Sequence, residues 1–377
     1  MKIKEFKSGY WIEQNQYKSF NPTHINHTWL LDDEQLNYLL SKANILLGEL
    51  NAFSTLIPNV DFFIKMHITK EATNSSNIEG TQTNIEEALQ KVQNLNPEKR
   101  DDWQEVENYI TAMNTAINKL VHFPLSNRLL RESHAILLQN VRGEHKQPGE
   151  FRTSQNWIGG AGLNDAIFIP PHPDKVIDLM GDLELFLHNK NSFVPDLIKI
   201  AIAHYQFETI HPFCDGNGRI GRLLITLYLV NERILCKPTL YLSDFFAKNK
   251  MLYYDNLTAV RNKNNMTQWL RFFLEGVIQT ANNSTETFRK IIAMREEIER
   301  RKITKLGKKT KIAQQFLFYL FGSPIVDSED VAKELNVNKS TALRLIYDFI
   351  ELDILKEMTG FKRNRIFMFE KYVRLFE

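Results

Sequence analysis

The segment HPFCDGNGRIGR, residues 211–222, constrains this chain of 377 residues more than any other stretch. Gly216 and Gly218 can adopt positive φ angles, which turn successive backbone N–H groups inward and form an anion-binding nest. The apolar run that follows predicts a helix, whose N-terminus carries free N–H groups and partial positive charge. Arg219 and Arg222 lie on its first turn and oppose that dipole unless an anion binds there. The segment therefore predicts a phosphate site at a helix N-terminus.

Two further side chains of this segment add chemistry to the phosphate site. Asp215 would repel a phosphate unless a cation lies between them, and Mg²⁺ is usually held by one or two carboxylates together with phosphate oxygens. His211 has an ordinary pKa of about 6.5, which suits a general base at neutral pH. Base, metal ligand and phosphate site together indicate transfer of a phosphate-linked group to a hydroxyl. The alternative is a structural joint between two helices, with a glycine cap and two surface arginines.

The whole segment resembles the Fic motif, His-x-Phe-x-Asp/Glu-Gly-Asn-Gly-Arg-x-x-Arg, and the upstream stretches AHYQFETIHPF and FRTSQNWIGG resemble the helix and flap of that family. The resemblance implies an all-α fold, a Fic helical core with a small β-hairpin flap. It implies a protein adenylyltransferase, which moves AMP from ATP to a Ser, Thr or Tyr hydroxyl of a protein with Mg²⁺ as cofactor. UTP, GTP and CDP-choline remain alternatives to ATP, because the motif contacts the phosphates and not the base.

The resemblance also implies roles for single residues. His211 deprotonates the target hydroxyl, Phe213 anchors the loop in the core and Asp215 holds Mg²⁺. The phosphates are bound by the rest of the motif, namely Asp215 through its metal, Gly216, Asn217, Gly218, Arg219 and Arg222. The target segment is aligned by backbone pairing with four flap residues, Trp157, Ile158, Gly159 and Gly160. The adenine contacts are expected from Tyr253 and Tyr254, which could equally be core aromatics, and Arg261 stands where the family often has an asparagine.

A second motif, TNSSNIEGTQT at residues 73–83, resembles the inhibitory helix of the same family, Ser/Thr-x-x-x-Glu-Gly/Asn. Ser75 and Glu79 lie at i and i+4 and share a helix face, and Gly80 has no side chain to prevent close packing. The resemblance implies that Glu79 pairs with Arg222 and competes with ATP. Two alternatives stay open: Glu79 positions a water in a deadenylylating hydrolase, or it is a solvated helix glutamate.

The end of the chain predicts a separate domain. Residues 300–311, RRKITKLGKKTK, hold seven basic residues and no acid, and they predict a helix end followed by a linker. The order of helices, a turn and two β-prone runs beyond them resembles a winged helix-turn-helix. Such a domain would either bind DNA, which makes the chain a DNA-binding regulator with a self-modifying Fic domain, or dock proteins. Its basic side chains are Lys339, Arg344, Lys362, Arg363 and Arg365.

We expect three parts: an N-terminal helical region with the inhibitory helix over residues 1–105, a Fic catalytic domain over 106–300 and a winged helix-turn-helix domain over 301–377. The net charge of +2 gives no global field for nucleic acid or membrane. Two cysteines and a polar start favour a cytoplasmic protein. The expected partners are ATP, a protein hydroxyl on the chain itself or on another protein, DNA through the C-terminal domain, and a second copy in a homodimer, but no membrane.

Overall fold

The segment LIKIAIAHY, which is apolar nearly all round, lies at the centre of the fold. In the computed structural model it belongs to the helix Asp196–Ile210, which is buried from Leu197 to its end. A helix with apolar side chains on every face has to be surrounded by other elements. The structure describes residues 1–56, 61–361 and 363–376.

The described residues form fifteen α-helices and five short strands. The helices are α1 (Glu34–Leu56), α2 (Asp61–Ile78), α3 (Ile85–Ala88), α4 (Arg100–Leu120), α5 (Asn127–Leu137), α6 (Val176–His188), α7 (Asp196–Ile210), α8 (Asn217–Asn231), α9 (Ser243–Lys248), α10 (Lys250–Lys263), α11 (Met266–Glu297), α12 (Thr310–Gly322), α13 (Ser328–Glu334), α14 (Lys339–Glu351) and α15 (Glu370–Val373). The strands are β1 (Gly9–Glu13), β2 (Lys18–Pro22), β3 (Ile325–Asp327), β4 (Lys356–Glu357) and β5 (Ile366–Met368). None of the described helices is both long enough and apolar enough to cross a membrane.

The helical core places the predicted motifs beside one another. Helix α7 packs against α6, α8 and α11, and α1 runs along α11. Helix α4 packs against α2, α5 and α8, and α2 also contacts α8, α9 and α12. The turn between α7 and α8 carries the motif of residues 211–222, and the end of α2 carries the predicted inhibitory motif. The two motifs, which are far apart in the sequence, therefore meet at the N-terminus of α8.

Two strands near the start of the chain form a hairpin that the sequence pattern did not predict. Trp11 lies opposite Phe20 in its register, and the two rings are 5.3 Å apart. The N–H of Phe20 donates to the carbonyl of Ile169, at 2.9 Å, so the hairpin rests on the predicted flap. The flap itself is shorter than expected, because its pairing is a single antiparallel bridge between Ile158 and Phe168.

The linker predicted for residues 300–311 is wrong. A π-helical turn, Ile298–Lys302, and a 3₁₀ turn, Ile303–Lys309, continue α11 instead. The basic residues are good helix formers on an exposed face, while Ile298 and Ile303 are buried. The chain changes direction at Gly307, whose φ is 54°.

Beyond this bend, the described residues of the C-terminal part form three strands and four helices, α12 to α15. Strand β5 lies between β3 and β4, with antiparallel pairing on both sides. Helix α13 packs against α14, and α12 packs against α2. The elements lie in the order of a winged helix-turn-helix, and the assignment to that class stays a prediction.

The start of α1 is fixed to α11 by one carboxylate. The backbone N–H of Leu36 donates to Oδ1 of Asp33 at 3.0 Å, and Arg271 of α11 donates to both carboxylate oxygens at 2.9 and 2.8 Å. The backbone hydrogen bond lowers the pKa of Asp33; burial acts against it, and Arg271 and Lys4 lower that pKa further. Asp33 therefore acts as an N-cap that also joins the two longest packed helices.

We expect Asp33→Ala to lower the free energy of unfolding at pH 7 by about 1–2 kcal/mol, because α1 loses its cap. The pKa of Asp33 is lowered in the folded state. The stabilisation is thus present above the unfolded value of about 4 and is lost as the pH falls through the folded value. Urea unfolding at pH 7 and pH 3 measures both effects. The control is Asp32→Ala, because Asp32 lies 3.6 Å from Lys2 at the surface; equal losses in the two variants would contradict the cap.

Candidate active site

The turn between α7 and α8 is built from two left-handed residues. His211 ends α7 with φ 51° and ψ 60°, and its N–H donates to the Phe207 carbonyl at 2.9 Å. Gly216 has φ 71° and immediately precedes α8. A left-handed conformation is costly for a residue with a Cβ, so surrounding contacts have to hold His211 in place. The turn reverses the chain and leaves the first N–H groups of α8 without intrahelical partners.

Phe213 and Asn217 close this turn from the inside. Phe213 is fully buried, and its ring stacks on that of His134 with centroids 3.8 Å apart. The side-chain amide of Asn217 accepts from the Phe213 N–H and donates to the Phe213 carbonyl, both at 2.8 Å. Both polar ends of Asn217 are thus used by the loop, and what it can offer a phosphate is its backbone N–H.

Three residues outside the motif hold the turn, and no role was predicted for any of them. The Gly149 N–H donates to Nδ1 of His134 at 2.8 Å, so Nε2 carries the proton and donates to the Asp215 carbonyl at 3.0 Å. Arg152 is buried and donates to four carbonyls, among them that of His211 at 2.9 Å. Asn156 donates to the carbonyls of His211 and Phe213.

A weak sequence signal existed for one of these three residues. His134 shares the apolar face of α5 with Leu130 and Leu137, at spacings of four and three residues. A histidine on such a face has to find partners for both ring nitrogens, and here it finds one in Gly149 and the other in the motif loop, at the Asp215 carbonyl. The segment FRTSQN gives no local pattern that assigns Arg152 or Asn156 to the loop.

The imidazole of His211 is poised as a neutral group. Burial lowers its pKa to about 3, the charges of Arg261 and Arg152 act in the same direction, and Glu79 acts against them. Its Nδ1 is buried and has no hydrogen-bond partner in the described part of the chain. The imidazole is therefore unprotonated near pH 7, which is the state that a general base requires.

Arg222 is buried, and its Nε and Nη2 are already paired with the predicted inhibitory motif. Its Nε donates to the Ser75 hydroxyl at 2.9 Å and its Nη2 to the Ser75 carbonyl at 2.8 Å. Nη2 also donates to Oε1 of Glu79 at 2.7 Å. Burial would lower the pKa of this guanidinium, yet the charge of Glu79 holds it above its usual range. The i, i+4 spacing of Ser75 and Glu79 thus delivers both groups to one arginine.

The Glu79 carboxylate also lies on the N-terminal turn of α8. A Cβ at Gly218 would overlap it, so the helix admits the carboxylate only because residue 218 is glycine. Burial alone would raise the pKa of Glu79, but the charge and hydrogen bond of Arg222, followed by Arg219 and His211, hold that pKa below its usual value. The carboxylate therefore stays ionised where a phosphate is predicted to bind.

The prediction that residue 80 is glycine to allow close packing is wrong. A Cβ there would meet no atom within 4 Å, so close packing does not require glycine. Its φ of 108°, a value that residues with a side chain rarely adopt, does require it. The residue lets the chain turn directly after Glu79.

Arg219 is buried and pairs with an acid that was not predicted. Its Nη1 lies 3.1 Å from Oε2 of Glu105 on α4, and its Nη2 lies 4.0 Å from Asp215. Its Nε has no hydrogen-bond partner among the described residues. A buried N–H donor without a partner is costly, and a phosphate oxygen would satisfy it. The residues present thus fit a bound polyphosphate.

Asp215 is the only carboxylate in the motif, and its side chain faces solvent. Its Oδ1 accepts from the Gly216 N–H at 2.6 Å, and the side chain is 46% exposed. The described residues contain no cluster of three or more metal-ligating side chains. One carboxylate beside a phosphate site fits Mg²⁺, which keeps waters and takes phosphate oxygens as ligands. Asp215 would therefore hold the metal together with a bound nucleotide.

The two predicted adenine contacts occupy different environments. Tyr253 is 1% exposed, its hydroxyl donates to Nε2 of His204 at 2.8 Å and its ring stacks on Phe246. It is a core aromatic, the second of the two alternatives. Tyr254 is 38% exposed and offers ring surface to a nucleotide. Arg261, where an asparagine was expected, is buried over the Phe168 ring, with its guanidinium carbon 3.9 Å from the ring centroid.

The predicted flap residues lie at the surface beside this turn. Trp157 is 41% exposed. Gly159 and Gly160 have φ angles of 70° and 72°, and a Cβ at Gly160 would overlap the Asp165 backbone. The flap tip is closed by Asp165, whose carboxylate accepts from the N–H groups of residues 161 and 162. Ile158 provides the pairing with Phe168 described above.

The comparisons with known proteins agree with this geometry. The sequence matches the Fic/DOC family N-terminal region over residues 37–118 and the Fic/DOC family itself over residues 124–229. The chain contains a Fic/DOC domain. The Fic match ends within α8 and contains the whole turn between α7 and α8.

Curated relatives and solved structures extend this result. The chain is 33% identical over 168 residues to protein adenylyltransferase Fic of Aedes aegypti, and 31% identical over 121 residues to protein adenylyltransferase fic-1 of Caenorhabditis elegans. The matches cover 44% and 32% of this chain but 30% and 22% of those relatives, so less than a third of their length is spanned. A Fic family protein from Desulfovibrio desulfuricans G20 has a similar fold, with a TM-score of 0.56 at 19% identity over 90% of this chain and 97% of that one. The likeness in structure supports the helical Fic fold.

The buried histidines of the core predict a loss of stability in mild acid. Burial lowers the pKa of His67, His204 and His211 to about 3 and that of His134 to about 4. The unfolded chain therefore binds more protons than the folded one below pH 6.5, so stability falls as the pH drops from 6.5 towards 4. Each such histidine contributes a slope of about 1.4 kcal/mol per pH unit at most.

The test replaces one buried histidine. His204 donates to the Gly221 carbonyl and accepts from Tyr253, and His204→Gln should make the slope of unfolding free energy against pH shallower by about 1.4 kcal/mol per unit between pH 6 and 5. Urea unfolding at pH 7, 6 and 5 gives the slope. His145→Gln at an exposed position is the control; a slope that His204→Gln leaves unchanged would contradict the account.

Proposed function

We propose that this chain is a protein adenylyltransferase that moves AMP from ATP to a Ser, Thr or Tyr hydroxyl of a protein, and that Glu79 keeps it inhibited. The observation that carries the proposal is the anion site at the start of α8. The start of α8 carries two buried arginines, and Nε of Arg219 has no hydrogen-bond partner among the described residues. This glycine-lined helix N-terminus directly follows the turn that begins at the neutral His211. The names of the curated relatives support the same reaction.

In the proposed reaction the target hydroxyl oxygen attacks the α-phosphorus of ATP. His211 takes the hydroxyl proton, the bond between the α-phosphorus and the bridging oxygen breaks, and pyrophosphate leaves. Arg219 and the N–H groups of α8 bind the α- and β-phosphates, and Arg222 binds the γ-phosphate. Asp215 would hold Mg²⁺, which would supply positive charge to the phosphates when bound. The flap around Trp157 aligns the target segment.

The proposed inhibition follows from the pairing of Arg222. The guanidinium cannot bind Glu79 and a γ-phosphate in the same place, and the Glu79 carboxylate lies on the helix N-terminus that the phosphates need. When ATP binds while the Glu79 carboxylate is in place, the α-phosphate is displaced from the position that in-line attack by the target hydroxyl requires. Removal of the carboxylate frees both the arginine and the helix N-terminus.

We expect Glu79→Gly to raise the transfer of label from α-labelled ATP to protein by about tenfold or more, and His211→Ala to abolish it. Purified proteins would be incubated with Mg²⁺ and α-labelled ATP, and separately with α-labelled UTP and GTP. Asn77→Gly is the matched control, because it adds a glycine at an exposed position two residues away. Label that does not rise in Glu79→Gly would refute the inhibition. ATP binding without label in any variant would favour the deadenylylating reaction.

For the C-terminal part we propose a protein-docking role rather than DNA binding. Basic side chains near the predicted recognition helix already face acids or polar groups. Arg365 donates to the Tyr347 hydroxyl at 2.9 Å and lies 3.5 Å from Glu357. Lys309 pairs with Asp348 at 2.6 Å. Of the predicted basic set, Lys362 lies outside the described residues.

We expect the chain to pass a duplex-DNA column at about 0.15 M salt without retention, because phosphate binding requires several unpaired cations. Retention would be followed over a salt gradient, with a basic DNA-binding protein as the positive control. Retention that weakens steeply with salt and is lost in Arg363→Ala would favour the DNA-binding alternative.

A further inference from the structure

Glu105 on α4 is a buried carboxylate that neither motif contains. Both of its oxygens are used. Oε2 lies 3.1 Å from Nη1 of Arg219 and accepts from the Thr81 hydroxyl at 3.0 Å, while Oε1 accepts from Nε of Arg142 at 3.1 Å. The carboxylate therefore joins one arginine of the phosphate site to the segment that follows Glu79.

A second acid one turn earlier on α4 holds the same segment. Asp102 accepts from the backbone N–H of Gln82 at 2.8 Å, and its other oxygen accepts from Nη2 of Arg142 at 2.8 Å. Asp102 and Glu105 lie at i and i+3 and face the same side of the helix. Residues 81–82 are thus fixed to α4 by a side-chain bond and a backbone bond.

The chain geometry links this attachment to Arg222. Only Gly80 lies between Glu79 and Thr81, which limits the distance between their Cα atoms to about 7 Å. The backbone of Glu79 therefore stays close to Arg222 while Thr81 remains bound to Glu105, which favours the pairing of the Glu79 carboxylate with Arg222. Glu105 thus holds Arg219, and Glu79 holds Arg222 three residues further along α8. The short segment from Glu79 to Thr81 connects the two acids, because Thr81 binds Glu105.

We propose that Glu105 is a positioning residue that couples the two arginines. It orients Arg219 and, through the Thr81 hydroxyl, keeps Glu79 on Arg222, so that Arg222 is released only when the bond from Thr81 to Glu105 breaks. The inference deepens the proposed function, on which it rests for the roles of the two arginines. The contacts of residues 79–82 can be tested without any transfer reaction.

The test compares two threonines that differ in their hydroxyl contacts. Thr81 and Thr83 are both buried, but the Thr83 hydroxyl has no partner among the described residues. Valine has the shape of threonine without the hydrogen bond. In the full-length protein, Thr81→Val should raise amide hydrogen exchange of residues 76–84, while Thr83→Val should leave it at the wild-type level. Equal exchange in wild type and Thr81→Val, or the same rise in both variants, would overturn the coupling.

Label transfer from α-labelled ATP is the second readout. Thr81→Val should raise transfer by about threefold to tenfold, which is the range expected for the loss of one hydrogen bond. In the Glu79→Gly background it should cause no further rise, because the carboxylate that Thr81 helps to position is absent there. A further rise in Thr81→Val combined with Glu79→Gly would overturn the coupling. If Glu79→Gly itself gives no transfer, the proposed function fails, and hydrogen exchange still decides whether Glu105 holds the segment.

The positioning of Arg219 is tested in the Glu79→Gly background. Glu105→Gln keeps the size of the side chain but removes the charge that orients Arg219. We expect it to lower kcat several-fold without raising the KM for ATP, since the arginine still attracts phosphate but no longer holds it in line. A raised KM with unchanged kcat would contradict the positioning role.

Discussion

The pairing of Arg222 is the interaction on which the rest of the site depends. A guanidinium that is 2% exposed has to be matched by an anion, because a buried charge without a partner is strongly destabilising. Ser75 and Glu79 meet that need from α2. In the account proposed here, the γ-phosphate of ATP is the other anion that can meet it. Inhibition and catalysis then become two ways of satisfying one buried charge, and the fold has to keep α2 and α8 in contact for either.

The catalytic turn depends on contacts that come from distant parts of the chain. His211 sits in a left-handed conformation, and donors from Arg152 and Asn156 hold its carbonyl. His134 holds the Asp215 carbonyl on the other side. These bonds fix the loop backbone and leave the His211 imidazole and the Asp215 carboxylate free to meet ligands. Precision in the site thus comes from side chains outside the motif, Arg152, Asn156 and His134, as well as from the motif itself.

Much of the site could be predicted from the sequence, and the exceptions have physical reasons. The eight fixed positions of the motif lie within one turn and one helix start, so their spacing alone brings them together. The pairing of Glu79 with Arg222 is long-range, and it was predicted only because the family resemblance supplied it. Glu105 and Arg152 had no local signal, because the motif residues that they contact, Arg219 and His211, are more than 50 residues away in the sequence. The basic stretch of residues 300–311 was wrongly predicted as a linker, because its many charges outweighed the signal of the buried Ile303.

The most direct test of the central claim is the position of the triphosphate in a crystal structure of Glu79→Gly with ATP and Mg²⁺. The account predicts γ-phosphate oxygens within hydrogen-bond distance of the Arg222 guanidinium, an oxygen on Nε of Arg219, and the α-phosphate facing His211. A triphosphate bound elsewhere, with Arg222 still turned to Ser75 and the N-terminus of α8 in contact with water, would contradict it.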